Sequence, residues 1–316
     1  MFQRSKHKAM LTPDSAGGKG SFAVQTPNEN GPQIRLVLAP NPSFMTQNGT
    51  NTYILGSGQV AVIDPGPANE GHLAAILATL QPTERISHIF VTHAHLDHSG
   101  LAPALAQATG APISGYGPAT SGRSTAMQTL ASRVDIGGGE GVDHGFRPDI
   151  LLHNATTTSG PTWRLEAIHT PGHMGNHLCF AAGNILFSGD HVMEWSSTLI
   201  SPPDGDMGDY MASLQTLAAR PWHSFLPGHG AAITNPAQKL AELASHRRAR
   251  EAALLAVIGN GANSIAQMAK QVYRDLDHRL LPAARRNILA HLIDLESRKQ
   301  VSAAPYPSPD AIFRLA

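Results

Sequence analysis

The stretch Thr92-His93-Ala94-His95-Leu96-Asp97-His98-Ser99-Gly100 constrains this chain more than any other. Three histidines and one aspartate fall within six positions, directly after the apolar run Ile86-Ser87-His88-Ile89-Phe90-Val91. That run is β-branched and aromatic, which predicts a buried strand, and Ser99-Gly100 predicts the start of a helix near Leu101. The cluster is therefore expected on a tight turn between strand and helix. Imidazole and carboxylate are donors that suit zinc and its neighbours among the divalent ions. His93 and His95 lie two apart and project the same way from an extended segment, while Asp97 and His98 follow the turn and are expected to face a second ion. A histidine-rich loop can be mere polar surface, but an ordered set of this kind points to a metal site.

Composition sets the frame around that site. A chain of 316 residues has room for one large domain and a small one, and 41% hydrophobic content supports a real core. Thirty glycines and 23 prolines imply many turns, which fits a mixed, loop-rich fold better than a helical bundle. The formal net charge is zero, but residues 236–316 hold 12 Lys+Arg against 7 Asp+Glu, whereas the remainder holds 11 against 16. The acidic part carries the proposed cations, which offset its excess. The basic tail suits a polyanion or, equally, a solvated helix face. Cys179 is the single cysteine, so no intramolecular disulfide forms, and its neighbours Leu178 and Phe180 mark it as an ordinary buried thiol. Arg4, Lys6 and Lys8 have no apolar run behind them, and no apolar stretch is long enough for a membrane helix; a cytoplasmic protein is the expectation.

Along the chain, residues 1–32 read as a polar lead-in or an early hairpin. Strands are predicted over Gln33–Ala39, Thr52–Leu55 and Val60–Ile63, with Gly56-Ser57-Gly58 turning between the last two. A helix is predicted over Glu70–Leu80, and a further strand over Ala111–Ser114. Residues 115–148, rich in glycine and small polar residues, read as insertions near the pocket. Strands follow over Arg164–Ile168, Leu178–Ala181, Asn184–Phe187 and Ser224–Leu226. From Pro236 the texture turns helical: Ala237–Ile258, a helix capped at Asn263-Ser264 and running to about Tyr273, and Pro282–Arg298. Val301–Pro307 and Ala311–Ala316 read as a short β element.

His93-x-His95-x-Asp97-His98 resembles the signature of the metallo-β-lactamase superfamily. Thr170-Pro171-Gly172-His173, Ser188-Gly189-Asp190 and Pro227-Gly228-His229-Gly230 resemble its later ligand loops in the right order, and Asn51–Gly56 with Val62–Gly66 resembles its opening hairpin. The resemblance implies an α+β fold, the αββα sandwich, over residues 1–235. It is joined by a small C-terminal winged-helix-like domain over 236–316, similar to that of the branch containing a β-lactamase-like endoribonuclease and glyoxalase II-like hydrolases. His246-Arg247-Arg248 also resembles that branch.

Carried over by position, His93, His95 and His173 would hold one divalent ion, Asp97, His98 and His229 a second, and Asp190 would bridge them. Zinc is the expected metal, with iron or manganese compatible. Two such ions share a water and lower its pKa toward about 7, which implies a metal-bridging hydroxide as nucleophile, with Asp97 orienting it. His177, Trp195 and Tyr210 are candidates for substrate contact; His169 and His191 are read as structural and His88 as core. The loop Ser201–Asp209, and Glu194 before it, are candidates for the pocket wall. The leading expectation is hydrolysis of a small acyl substrate: a thioester, lactone or lactam. The alternatives are an endoribonuclease that holds RNA on the C-terminal domain, and a nucleic-acid binding protein working through that domain alone, for which Arg285 and Arg286 are the available cations. A noncatalytic module is disfavoured by seven competent ligand positions. A homodimer is compatible with the sequence.

Overall fold

A computed structural model describes residues 21–24, 32–133 and 136–316. The expected lead-in over residues 1–32 falls outside the described residues except for strand β1, Ser21–Val24, and position 32. The first sheet runs in sequence order: β1, β2 (Ile34–Leu38), β3 (Asn51–Leu55), β4 (Gln59–Ile63), β5 (Arg85–Phe90), β6 (Ile113–Gly115) and β7 (Ile150–Leu151). Pairing is antiparallel as far as β4 and parallel from β4 to β7. Helices α1 (Glu70–Ala78), α2 (Leu96–Ser99) and α3 (Ala102–Thr109) supply the crossovers, and α4 (Thr125–Arg133) follows β6. The second sheet contains β8 (Thr157–Ser159), β9 (Arg164–His169), β10 (Leu178–Ala182), β11 (Ile185–Gly189) and β12 (Ser224–Pro227), in the order β12-β11-β10-β9-β8.

Side-chain alternation explains how the sheets stack. In β3, Tyr53 and Leu55 point to one face and Ile54 to the other, and all are buried because both faces are covered. Tyr53, Leu55, Ile63 and Phe90 meet Trp163, Leu178, Phe180 and Phe187 of the second sheet in the central core. The opposite faces are closed by helices: Ile54, Val62 and Ile89 pack with Ile76 and Leu105, and Cys179, Leu186 and Phe225 pack with Tyr210, Leu214 and Leu243. This is the αββα sandwich, an α+β fold.

The C-terminal part comprises α6 (Pro236–Gly259), after α5 (Met207–Ala218) in the sandwich, then α7 (Ile265–Val272), α8 (Leu281–Ser297) and the hairpin β13–β14 (Val301–Ala304, Ile312–Leu315). Ser264 and Gln267 form the capping box that opens α7. Leu254, Ile258, Met268, Ile288, Leu292 and Phe313 form its core, which also takes in Met127 and Leu130 of α4. Leu240 and Leu243 at the start of α6 pack into the sandwich instead, so this one helix serves both cores.

Some boundaries differ from expectation for local reasons. The turn carrying Asp97 and His98 is itself the one-turn helix α2, because the His95 carbonyl accepts from both the His98 and Ser99 amides. Strand β6 starts at Ile113 rather than Ala111, after Pro112, which has no N–H to give a ladder. Helix α4 lies within the stretch read only as insertions; its apolar positions, Met127 and Leu130, are too few to register as a helical period.

Candidate metal centre

Four strand ends on one edge of the sandwich deliver the cluster. Chain leaving β5 carries His93 and His95, the loop after β9 carries His173, and β11 and β12 release Asp190 and His229. The approach is close enough to demand glycine. A Cβ at Gly228 would lie 2.6 Å from both Asp190 Oδ1 and His98 Cε1. Gly189 sits at φ +49°, where a Cβ would lie 2.7 Å from His177 Nε2.

His93, His95, His173 and Asp190 form one group of converging donor atoms, and Asp97, His98 and His229 form another. In the first, His95 Nδ1 lies 2.8 Å from His93 Nε2 and 3.1 Å from His173 Nε2. The outward nitrogens fix the tautomers. Thr92 Oγ1 donates to Asp64 and so accepts from His93 Nδ1–H over 3.0 Å; the Leu199 carbonyl accepts from His173 Nδ1–H over 2.7 Å. Burial pushes all three imidazoles down, His95 to about 3, so they are neutral and turn lone pairs toward one point. Ligand nitrogens on a tetrahedral ion with bonds near 2.0–2.1 Å stand about 3.3 Å apart. The set fits a divalent cation such as zinc.

The second group is held from behind by Asp64. His98 Nδ1–H donates to Asp64 Oδ2 over 2.8 Å, and Asp64 also accepts from the Thr92 amide and hydroxyl. His229 Nδ1–H donates to the Gly49 carbonyl over 3.2 Å. The Nε2 atoms of His98 and His229 are 3.3 Å apart, and Asp97 Oδ2 lies 3.5 and 3.2 Å from them. Burial disfavours the cationic forms, but Asp97, Asp190 and Asp64 outweigh it at His98 and hold it well above its ordinary value. Asp190 and Asp97 likewise hold His229 at about 9. Burial opposes ionisation of Asp97 and Asp190 too, and His98 and His229 override it, so both carboxyls stay low. Such a pocket is built to concentrate positive charge. Asp190 faces both groups: Oδ2 lies 3.8 Å from His173 Nε2, and Oδ1 lies 3.4 Å from each of His98 and His229.

A cavity of about 440 Å³ opens onto these donors. Met45, Leu96, Val142, Met193 and Leu199 give it apolar walls, and Glu140 and Asp204 are its acidic residues outside the clusters. Gly139–Val142 and Ser201 with Asp204 reach it, as expected for the 115–148 stretch and the 201–209 loop. The three candidate substrate contacts lie elsewhere. His177 is fully buried behind His93, with its Nδ1 2.9 Å from Thr170 Oγ1. Tyr210 is wholly buried beneath His191, whose carbonyl accepts from its hydroxyl. Trp195 lines a neighbouring chamber.

His191 packs against Tyr210, His169 stacks on Tyr116, and His88 is half-buried between Phe90 and Trp163. Glu194 is exposed, and its carbonyl accepts from Lys239. Asp64 is the residue that sequence reading passed over; it was read only as part of a hairpin. In the structure it sits at φ +50° in an Asp-Pro-Gly turn at a strand end, a strained conformation that the sequence does not display.

Residues 45–229 match the family profile described as Metallo-beta-lactamase superfamily, and residues 264–305 match the Beta-lactamase associated winged helix domain. The chain is 32% identical over 259 residues to atrochrysone carboxyl ACP thioesterase AgnL7 of Paecilomyces divaricatus, spanning 78% of this chain and 72% of that protein. It is 33% identical over 270 residues to the beta-lactamase-like protein 2 homolog of Drosophila melanogaster, spanning 82% and 86%. A solved beta-lactamase domain protein from Burkholderia ambifaria has the same fold, with a TM-score of 0.74 at 19% identity over 94% of both chains.

Proposed function

The chain belongs to the metallo-beta-lactamase superfamily and is a hydrolase, and from that premise we propose that it uses two divalent ions to hydrolyse a small acyl substrate, a thioester foremost. The observation that carries this reading is the convergence of seven donor residues in two groups, with Asp190 turned toward both. His93, His95 and His173 would hold one ion, Asp97, His98 and His229 the other, and Asp190 would bridge. Zinc suits these nitrogen and oxygen donors best, with iron or manganese compatible. When bound, such ions supply Lewis acidity toward a carbonyl and activation of water near neutral pH.

The chain's own side chains supply position. Asp97, ionised and partly open to the cavity, accepts from the Thr50 hydroxyl over 3.3 Å and is placed to orient water by accepting its O–H. In the net reaction the water oxygen bonds to the acyl carbon, the C–S bond breaks, and the thiol leaves with a proton. Met45, Val142 and Leu199 exclude bulk water and suit an apolar acyl group. Cys179 offers no rival nucleophile, because burial raises its thiol to about 12.

A thioester is placed first because one relative is named as a thioesterase. RNA is less favoured: Arg286, one of the two cations considered for it, turns inward to the Ile136, Gly137 and Pro202 carbonyls and the Ser201 hydroxyl. Residues 1–235 and 236–316 are proposed as the catalytic and C-terminal domains. No helix among the described residues is long and apolar enough to cross a membrane. The test is metal analysis of purified protein beside an activity panel of thioesters, lactones, lactams and single-stranded RNA. About two ions per chain with thioester turnover supports the reading; one ion, or RNA cleavage alone, overturns it.

A further inference from the structure

Beside the metal cavity lies a second chamber of about 270 Å³, roofed by α6, α8 and the segment 273–280 between α7 and α8. Met45, Met193 and Leu199 line both spaces, so the two adjoin across an apolar saddle. Outside the clusters the metal cavity has Glu140 and Asp204, the latter paired with Arg123 over 2.5 Å, whereas the charged or titratable residues lining the second chamber are His246, Arg247, Arg250 and Tyr273, with no carboxylate among them.

We propose that this chamber binds an anionic group at the far end of the substrate's thiol arm, a phosphate foremost. The inference rests on the hydrolase reading above and extends it from the scissile bond to the leaving group. Arg250 attracts an anion into the second chamber, and the scissile carbonyl belongs at the metal donors of the first. The acyl part is thereby assigned to the metal cavity and the thiol arm to the saddle.

Arg250 is the receiving cation. Arg247 is buried and committed to the Thr198 carbonyl and Asn287, and burial with the two neighbouring arginines pushes His246 down toward the neutral form. Arg250 stacks its guanidinium 4.5 Å over the Tyr273 ring, donates Nη1 to the Val272 carbonyl over 2.9 Å, and places Nε 3.4 Å from His246 Nε2. Its Nη2 makes no hydrogen bond among the described residues. The fork is thus fixed in orientation with donor capacity to spare, the form in which arginine recognises phosphate. Trp195 and His246 also line the chamber. Leu276, Leu280 and Ala283 give the arm an apolar track.

The test compares one acyl group on N-acetylcysteamine, pantetheine and 4′-phosphopantetheine, using the metal-loaded full chain. The phosphorylated arm should exceed its unphosphorylated counterpart by about tenfold in kcat/KM, the scale of one charge-assisted hydrogen bond. Arg250→Gln should bring that ratio close to one. Ala283→Asp, which sets a negative charge in the chamber from a different helix, should do the same and guards against misfolding of the first variant. Calorimetric titration with free 4′-phosphopantetheine and pantetheine reads the same preference without turnover. If no thioester is hydrolysed but the phosphorylated arm still binds more tightly, the subsite stands and the thioesterase reading falls. Equal binding and equal turnover of the two arms overturn the proposal. So does a preference that follows a carboxylate placed on the acyl chain instead.

Discussion

His98 donates its Nδ1 proton to Oδ2 of Asp64 over 2.8 Å, and the same carboxylate accepts from both the amide and the hydroxyl of Thr92. One residue at the end of β4 therefore aims His98 at the second donor group and, through the Thr92 hydroxyl, fixes the tautomer of His93 in the first. Outer partners of this kind commonly govern ligand affinity by about 10–100-fold. Asp64→Asn should keep the fold and weaken metal retention on that scale, most at the group containing His98. Chelator competition monitored by metal analysis checks it; unchanged retention would remove Asp64 from the positioning role.

The pH dependence of the metal-free protein follows from the two cationic histidines. His229 is held at about 9 against an ordinary 6.5, and His98 is shifted in the same direction. A raised value means the folded state keeps a proton that the unfolded state has released. The stabilisation is therefore complete below about 6.5 and is lost as pH rises toward about 9. His93, His95 and His173 are shifted down, so their cost appears only below the ordinary histidine range, and the lowered Asp97 and Asp190 act only in acid. Thermal melts of chelator-treated protein should fall between pH 6.5 and 9, and His229→Gln should flatten that slope. A melt already flat across this window before substitution would contradict the charge assignment.

Gly228 offers a test of how closely the backbone must approach. Its Cβ position is 2.6 Å from Asp190 Oδ1, so alanine there must displace the carboxylate that faces both groups. Gly228→Ala should cost about a hundredfold in turnover with near-normal secondary structure, the scale of a displacement of about 1 Å at a reacting centre. Asp190→Asn should lose metal as well as turnover, since it removes the negative charge set between the two groups. If Asp190→Asn retains both metals and its rate, the proposed bridge is wrong.

What was legible in the sequence depended on how far apart the partners lie. His93, His95, Asp97 and His98 announce themselves because six positions hold the whole set. His173, Asp190 and His229 are single residues in ordinary turns, and only the order of their loops marked them. The C-terminal helices and hairpin were readable because their caps and apolar spacing are local signals, as the Ser264–Gln267 capping box illustrates. Asp64 was missed because its partners, Thr92 and His98, are 28 and 34 residues away and no local pattern links them. Tyr210 and His177 were read as pocket residues from proximity to ligands in sequence. Their side chains instead turn into the core behind the cluster, a direction set by the packing of α5 and β10. The glycine-rich wall at 137–141 has no periodicity to read; its position is fixed by Arg286, arriving from α8.

That last contact changes how RNA binding is best tested. Arg285 is exposed on α8, whereas its neighbour Arg286 clamps the cavity wall through Ile136, Gly137 and Pro202. Reversing the charge of both would confound loss of a surface cation with collapse of the pocket. Arg286→Glu alone should lower turnover of every substrate, because the walls at Gly139 and Ser201 lose their common anchor. Arg285→Glu combined with Arg248→Glu, both exposed, should leave hydrolysis of a small thioester within about twofold, as surface changes away from the site usually do. If the C-terminal domain held single-stranded RNA, the same pair would weaken binding and flatten its salt dependence by about 0.7 in log–log slope per lost phosphate contact. Binding measured at two salt concentrations separates the outcomes. Weak RNA binding that the exposed pair does not alter agrees with a small acyl substrate, whereas tight, salt-sensitive binding that collapses in the pair would put RNA first.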